Sequence, residues 1–113
     1  MDIYYKSKQI EKVCNQAKEG IKELGPEIAK KLRMRMTELK AADVLSDISH
    51  LPPARLHELD GGRDGEVAVD LKHPFRLIFK PYGNYKKGEP IDKTQVTAIT
   101  ILEVSNYHGK QKK

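Results

Sequence analysis

Between Gly65 and Pro81 the chain reads GEVAVDLKHPFRLIFKP, and its alternation leaves little choice of conformation. Val67, Val69 and Leu71 alternate with Glu66, Ala68 and Asp70. After the Lys72-His73-Pro74 interruption, Phe75, Leu77 and Phe79 alternate with Arg76, Ile78 and Lys80. A period of two is that of a strand, so the stretch predicts a β-hairpin with one apolar row on each arm turned to a common core. The same alternation stands Arg76 and Lys80 on the opposite face, where cationic groups can meet a ligand.

The core that hairpin needs is supplied upstream. Ile3 to Tyr5 is short and rich in β-formers and predicts an edge strand. Ser7 is a suitable N-cap for a helix running to Leu24, with Ile10, Val13, Cys14, Ala17, Ile21 and Leu24 on one face. Gly25 fits the residue just past a helix and Pro26 the first turn of the next. Ile28, Leu32, Met36 and Leu39 then recur at helical spacing to about Ala42. The Gly-Pro joint predicts an antiparallel helical hairpin. The run Lys30, Lys31, Arg33, Arg35 is expected as a solvated helix face. Asp43 to Ser49 reads as a short helical connector, and Leu51-Pro52-Pro53 excludes a central strand there. A brief strand is expected around Arg55 to Leu59, followed by a Gly-rich turn. Tyr82 to Gln95 is polar with Gly83, Gly88 and Pro90 and reads as a long loop. Val96 to Val104 is apolar at almost every position and predicts an interior strand. The sum is an α+β domain over residues 1–109, an N-terminal helical hairpin packed on a small twisted antiparallel β-sheet, with a basic tail over 110–113.

With 113 residues the chain holds one core. Its formal net charge is +5, but Lys110, Lys112 and Lys113 supply three of those charges, so the body is only mildly basic. A basic surface suits nucleic acid, an acidic protein or anionic lipid. The single Cys14 excludes an internal disulfide and a cysteine zinc site, and it is expected as a small core residue. No stretch approaches the ~20 apolar residues of a membrane span. No partner in a membrane is expected, and the composition is that of a cytoplasmic protein.

No metal-ligand, P-loop or nucleophile-elbow motif occurs, so neither a metal nor another cofactor is expected. His50 and His73 read as loop histidines. What stands out is His57 in RLHEL, Arg76 in FRLIF and the closing Asn106-Tyr107-His108, all on strands or strand ends that a small sheet can bring together. His and Tyr move protons near neutral pH, and Arg holds phosphate in a bidentate fork. A metal-free ribonuclease needs a base for the 2′-OH, a cation for the phosphorane and an acid for the leaving 5′-oxygen. The same Tyr107 and His108 would equally serve only to close a sheet edge.

The stretches LPPARLHEL, VAVDLKHPFRLIF and VTAITILEVSNYH resemble the HigB branch of the RelE/ParE-type toxins, and closely its plasmid-maintenance killer subgroup. The likeness runs from the first helix to Gly109. It implies a helical hairpin against a small twisted sheet and a metal-independent endoribonuclease that cuts mRNA in the ribosomal A site. It also implies a helix-turn-helix antitoxin of the HigA kind, with operator DNA reached only through that antitoxin. Carried over by position, the resemblance makes His57, Arg76, Tyr107 and His108 catalytic. Asn106 stands where the family commonly has Asp, and it can hydrogen-bond but cannot act as a base. Asp60 stands where the family often has Lys, and Arg55, Arg63 or Lys80 would take over the contact with RNA. A ParE-like gyrase poison and a catalytically weak, antitoxin-binding relative are the alternatives.

Overall fold

A computed structural model describes residues 1–83 and 88–106. The helices come first after one short strand. Strand β1 (Asp2–Tyr5) leads into helix α1 (Lys8–Asn15) and helix α2 (Ala17–Ala41), and a 3-10 turn at Leu45–Asp47 follows. Strands β2 (His57–Glu58), β3 (Val67–Asp70), β4 (Phe75–Pro81) and β5 (Ala98–Asn106) complete a five-stranded sheet in the order β1-β5-β4-β3-β2. The α+β architecture and the hairpin of β3 and β4 are those expected. One difference is that β1 runs parallel to β5, with Asp2 opposite Ala98 and Tyr5 opposite Ile101, so the sheet is mixed. The long helical excursion between β1 and the rest of the sheet permits a parallel pairing, which a tight turn would forbid.

The helical layer follows the capping chemistry at both of its joints. Ser7 Oγ accepts from the Ile10 N–H at 3.2 Å and starts α1. Gly25, at φ 83° and ψ 160°, kinks α2 ahead of Pro26 in a backbone region that is nearly exclusive to glycine. The first helix does not run unbroken to Leu24, however. Gln16 is extended (φ −114°, ψ 115°), and the break shifts the helical phase. Val13 and Cys14 are buried as expected, but beyond the break Gly20 turns inward and Ile21 outward. Gly20 sits so close to the Val13 carbonyl that a Cβ there would lie 2.9 Å from its oxygen.

The solvated-face expectation for Lys30, Lys31, Arg33 and Arg35 fails at Arg35. That side chain is 1% exposed among Leu32, Met36 and Leu39 on the core side of α2. Its Nε donates to the Asp70 carbonyl at 2.7 Å and its Nη1 to Glu38 at 3.2 Å. A buried guanidinium is tolerated only where its donors are satisfied, and the sheet offers a carbonyl at the right height. The helix layer covers one sheet face, on which Val67, Val69, Leu77, Phe79, Ile99 and Ile101 are fully buried. Cys14 lies in that core, and burial pushes its thiol up to about 12. No helix among the described residues is long and apolar enough to cross a membrane.

Candidate functional site

Residues opposite each other in an antiparallel ladder share a face, so the registers map the side of the sheet away from the helices. His57 pairs with Ala68, Ala68 with Ile78 and Ile78 with Glu103. The next row of the same face is Asp70, Arg76 and Ser105. A register shift between Ile78 and Phe79 follows, beyond which Lys80 pairs with Thr100 and Thr100 with Tyr4. His57, Arg76 and Lys80 therefore stand on one face. His57 and Arg76 lie two strands and two residues apart, which spacing puts at ~12 Å between backbones, a span two side chains can close around one phosphodiester.

The chain around His57 fixes its proton. Its Nδ1 lies 2.7 Å from the Arg55 carbonyl. A carbonyl only accepts, so Nδ1 carries the hydrogen in that bond and the neutral ring keeps its lone pair on Nε2. The expected strand is shorter than Arg55 to Leu59: Arg55 has φ 49°, outside the ladder, and only His57 and Glu58 pair with β3. That left-handed residue turns the Arg55 side chain to Asp70, with Nε to Oδ2 at 2.6 Å and Nη2 to Oδ1 at 3.1 Å.

Arg63 is likewise engaged. Its Nε donates to Glu66 and its Nη2 to Glu103, each at 2.6 Å, so one guanidinium reaches from the start of β3 to β5. Ala68 and Ile78, in the row that ends at Glu103, are fully buried although they face away from the helices. The Glu103 hydrogen bond, opposed by burial, leads the factors that hold Arg63 more firmly protonated. Arg76 is shifted the other way: burial, then the Arg63 and Arg55 charges, lower its pKa, while Asp70 and Glu103 oppose them. The site is thus three arginines interleaved with Asp70, Glu66 and Glu103. Alternation could have flagged Glu66 and Asp70, which share a strand face with Ala68. Glu103 needed the register of β5.

Lys80 is exposed and borders a cleft of about 530 Å³ together with Glu66, Tyr82 and Thr100. Asn106 ends β5 opposite Phe75, in the row beside that of Arg76 and Ser105, which alternation directs to the face where Phe75 packs on the core. Tyr107, His108 and the basic tail lie outside the described residues. His50, Asp60 and His73 are exposed. Among the described residues no group of three His, Cys, Asp or Glu side chains could hold a metal ion.

Neither a family model nor a curated protein matches this sequence. Among solved structures, the chain is similar to a YoeB/ParE toxin from Agrobacterium tumefaciens, with a TM-score of 0.57 at 8% identity, over 94% of this chain and 98% of that one. At that identity the likeness is one of fold: both chains are built over nearly their whole length on the same helix-on-sheet plan.

Proposed function

We propose that this chain is the toxin of a bacterial type II toxin–antitoxin module and cuts mRNA on the ribosome without a metal. The observation that carries the reading is the common sheet face of His57 and Arg76, on a fold shared with a YoeB/ParE toxin. His57 Nε2 takes the 2′-OH proton, a role supported by the Nδ1 contact with the Arg55 carbonyl. The 2′-oxygen then bonds to phosphorus, the bond to the 5′-oxygen breaks, and a proton returns to that oxygen. The products are a 2′,3′-cyclic phosphate and a 5′-hydroxyl end. Arg76 stabilises the phosphorane charge, and Asp70 across the ladder helps keep it cationic. Tyr107 and His108 supply the acid or exchange roles with His57, and Asn106, which alternation directs to the other face of β5, takes no part in the proton transfer. Arg55, Arg63 and Lys80 hold flanking phosphates, the first two after leaving their carboxylates. The partner that silences the site is a helix-turn-helix antitoxin of the HigA kind, and operator DNA is reached only through it.

Expression without an antitoxin, with new 5′ ends mapped on a translated reporter mRNA, tests this reading. Ends at ribosome positions are expected from the native chain. Arg76→Ala is expected to lower cutting roughly 100- to 1,000-fold and His57→Ala or His108→Ala roughly 100- to 10,000-fold. Arrested growth with DNA breaks and no RNA ends would instead establish a gyrase poison. The ion pairing of Arg55 and Arg63 favours a second reading, a weak relative that chiefly binds its antitoxin. Folded native protein that binds the antitoxin and cuts nothing would establish it.

A further inference from the structure

At the far end of the same sheet face from His57, two tyrosines stack in the open. The rings of Tyr4 and Tyr82 lie 4.1 Å apart at 18°, although 44% and 53% of these residues remain exposed. The backbone sets up the pair. Tyr4 is held in β1 opposite Thr100, and the Tyr82 N–H donates to the Ala98 carbonyl at 2.9 Å, continuing the β4 ladder past Pro81. The two residues thus flank β5, whose Ala98 and Thr100 are small enough to let the rings meet above them. Lys80, exposed and directly opposite Thr100, stands in the same cross-strand row as Tyr4, within a lysine side chain's reach of the stack. Strand spacings put Tyr4 ~16 Å from Arg76 along the face, two to three nucleotides of an extended strand.

We infer that Tyr4, Tyr82 and Lys80 form a base-stacking subsite for single-stranded RNA flanking the bond to be cut. This rests on the ribonuclease reading of the same sheet face. At 4.1 Å the rings leave no room for a base between them, so a base extends the stack on an outer ring face while Lys80 meets the adjoining phosphate. Aromatic stacking ignores base identity, since every base has a π-face. The subsite therefore contributes affinity and register, and no sequence preference. An exposed aromatic pair beside a cation, continuous with a phosphate-sized site, fits RNA better than an acidic peptide, which would use Lys80 and leave the rings idle.

The test uses the full chain and a fully 2′-O-methylated single-stranded oligonucleotide, which cannot be cut by 2′-OH attack, with an abasic oligonucleotide of the same length beside it. The chain has no Trp, so tyrosine fluorescence reads binding directly. Tyr4→Leu and Tyr82→Leu are expected to weaken binding of the base-containing strand by roughly 5- to 100-fold and to leave the abasic strand unaffected. Tyr4→Phe and Tyr82→Phe, which keep the rings, are expected to bind as the native chain does. In ribosomal cleavage the leucine variants are expected to raise KM with kcat unchanged. Equal binding of both strands by native and leucine variants overturns the inference. So does loss of antitoxin binding in the leucine variants with RNA binding intact. Neither result touches the ribonuclease reading, which falls if the native chain leaves no new RNA ends or if the Arg76→Ala chain cuts like the native one.

Discussion

Replacing Arg35 tests how the helix layer is tied to the candidate site. Its Nε bond to the Asp70 carbonyl is charge-assisted and closed to water, with Arg35 1% exposed. Losing such a bond costs about 1.5–3 kcal/mol. The Glu38 contact adds little, because Glu38 is 42% exposed and its ion pair is screened. Removing the buried stem forfeits about 2 kcal/mol more, at about 0.8 kcal/mol per methylene. Arg35→Ala is therefore expected to destabilise the fold by about 3–5 kcal/mol, lowering the melting temperature by roughly 10–20 °C. Arg35→Met keeps most of the volume and orphans only the carbonyl, for about 1–3 kcal/mol. Urea and thermal melts followed by circular dichroism measure both. An alanine variant melting within about 2 °C of the native chain would refute the anchoring role, and so would a methionine variant that loses as much as alanine.

Three further outcomes follow from the geometry. Cys14 is expected to resist iodoacetamide at pH 8 in the folded chain and to react only on unfolding, because burial pushes its thiol up to about 12. The folded pKa lies above the unfolded one, so this stabilisation is complete below about pH 9, the ordinary thiol value, and is lost as pH rises toward about 12. Melts of Cys14→Ala across that window are expected to show a shallower decline than the native chain. Gly25→Ala forces a side chain into φ 83°, ψ 160°, and is expected to cost about 1–3 kcal/mol in urea melts despite alanine's better helix propensity. Asp70→Asn removes the Arg55 partner and the carboxylate across from Arg76, and is expected to lower cleavage of translated mRNA with only a small change in melting temperature.

The period-two pattern of residues 66–80 was enough to place Arg76 and Lys80 on one face, because a strand sends alternate side chains to opposite sides whatever its neighbours are. The Gly25-Pro26 joint was legible for a similar reason, its chemistry being local. Arg35 was not, since nothing in a run of Lys and Arg says which one a carbonyl on a distant strand will receive. The phase change at Gln16 also escaped, because Ile21 fits the helical stripe until the backbone breaks. The pairing of Arg55 with Asp70, and of Arg63 with Glu66 and Glu103, depends on the path of a Gly-rich turn and on the β5 register. Both are set by tertiary packing. Asn106 falls opposite Phe75 through that same register, which the spacing of the final residues does not encode.

The sheet order has a consequence for how the molecule comes into being. Among the described strands β5 comes latest in the sequence, yet it lies between β1, the earliest, and β4. Contacts between residues so distant in the chain are the slowest to form. During synthesis β1 and β4 each wait with an open edge, and Arg63 waits for Glu103 and Arg76 for its ladder partner Ser105. The outer face is assembled only once β5 has left the ribosome. A nascent chain therefore carries no finished outer face until β5 emerges, and any partner that recognises the assembled sheet meets its target only then.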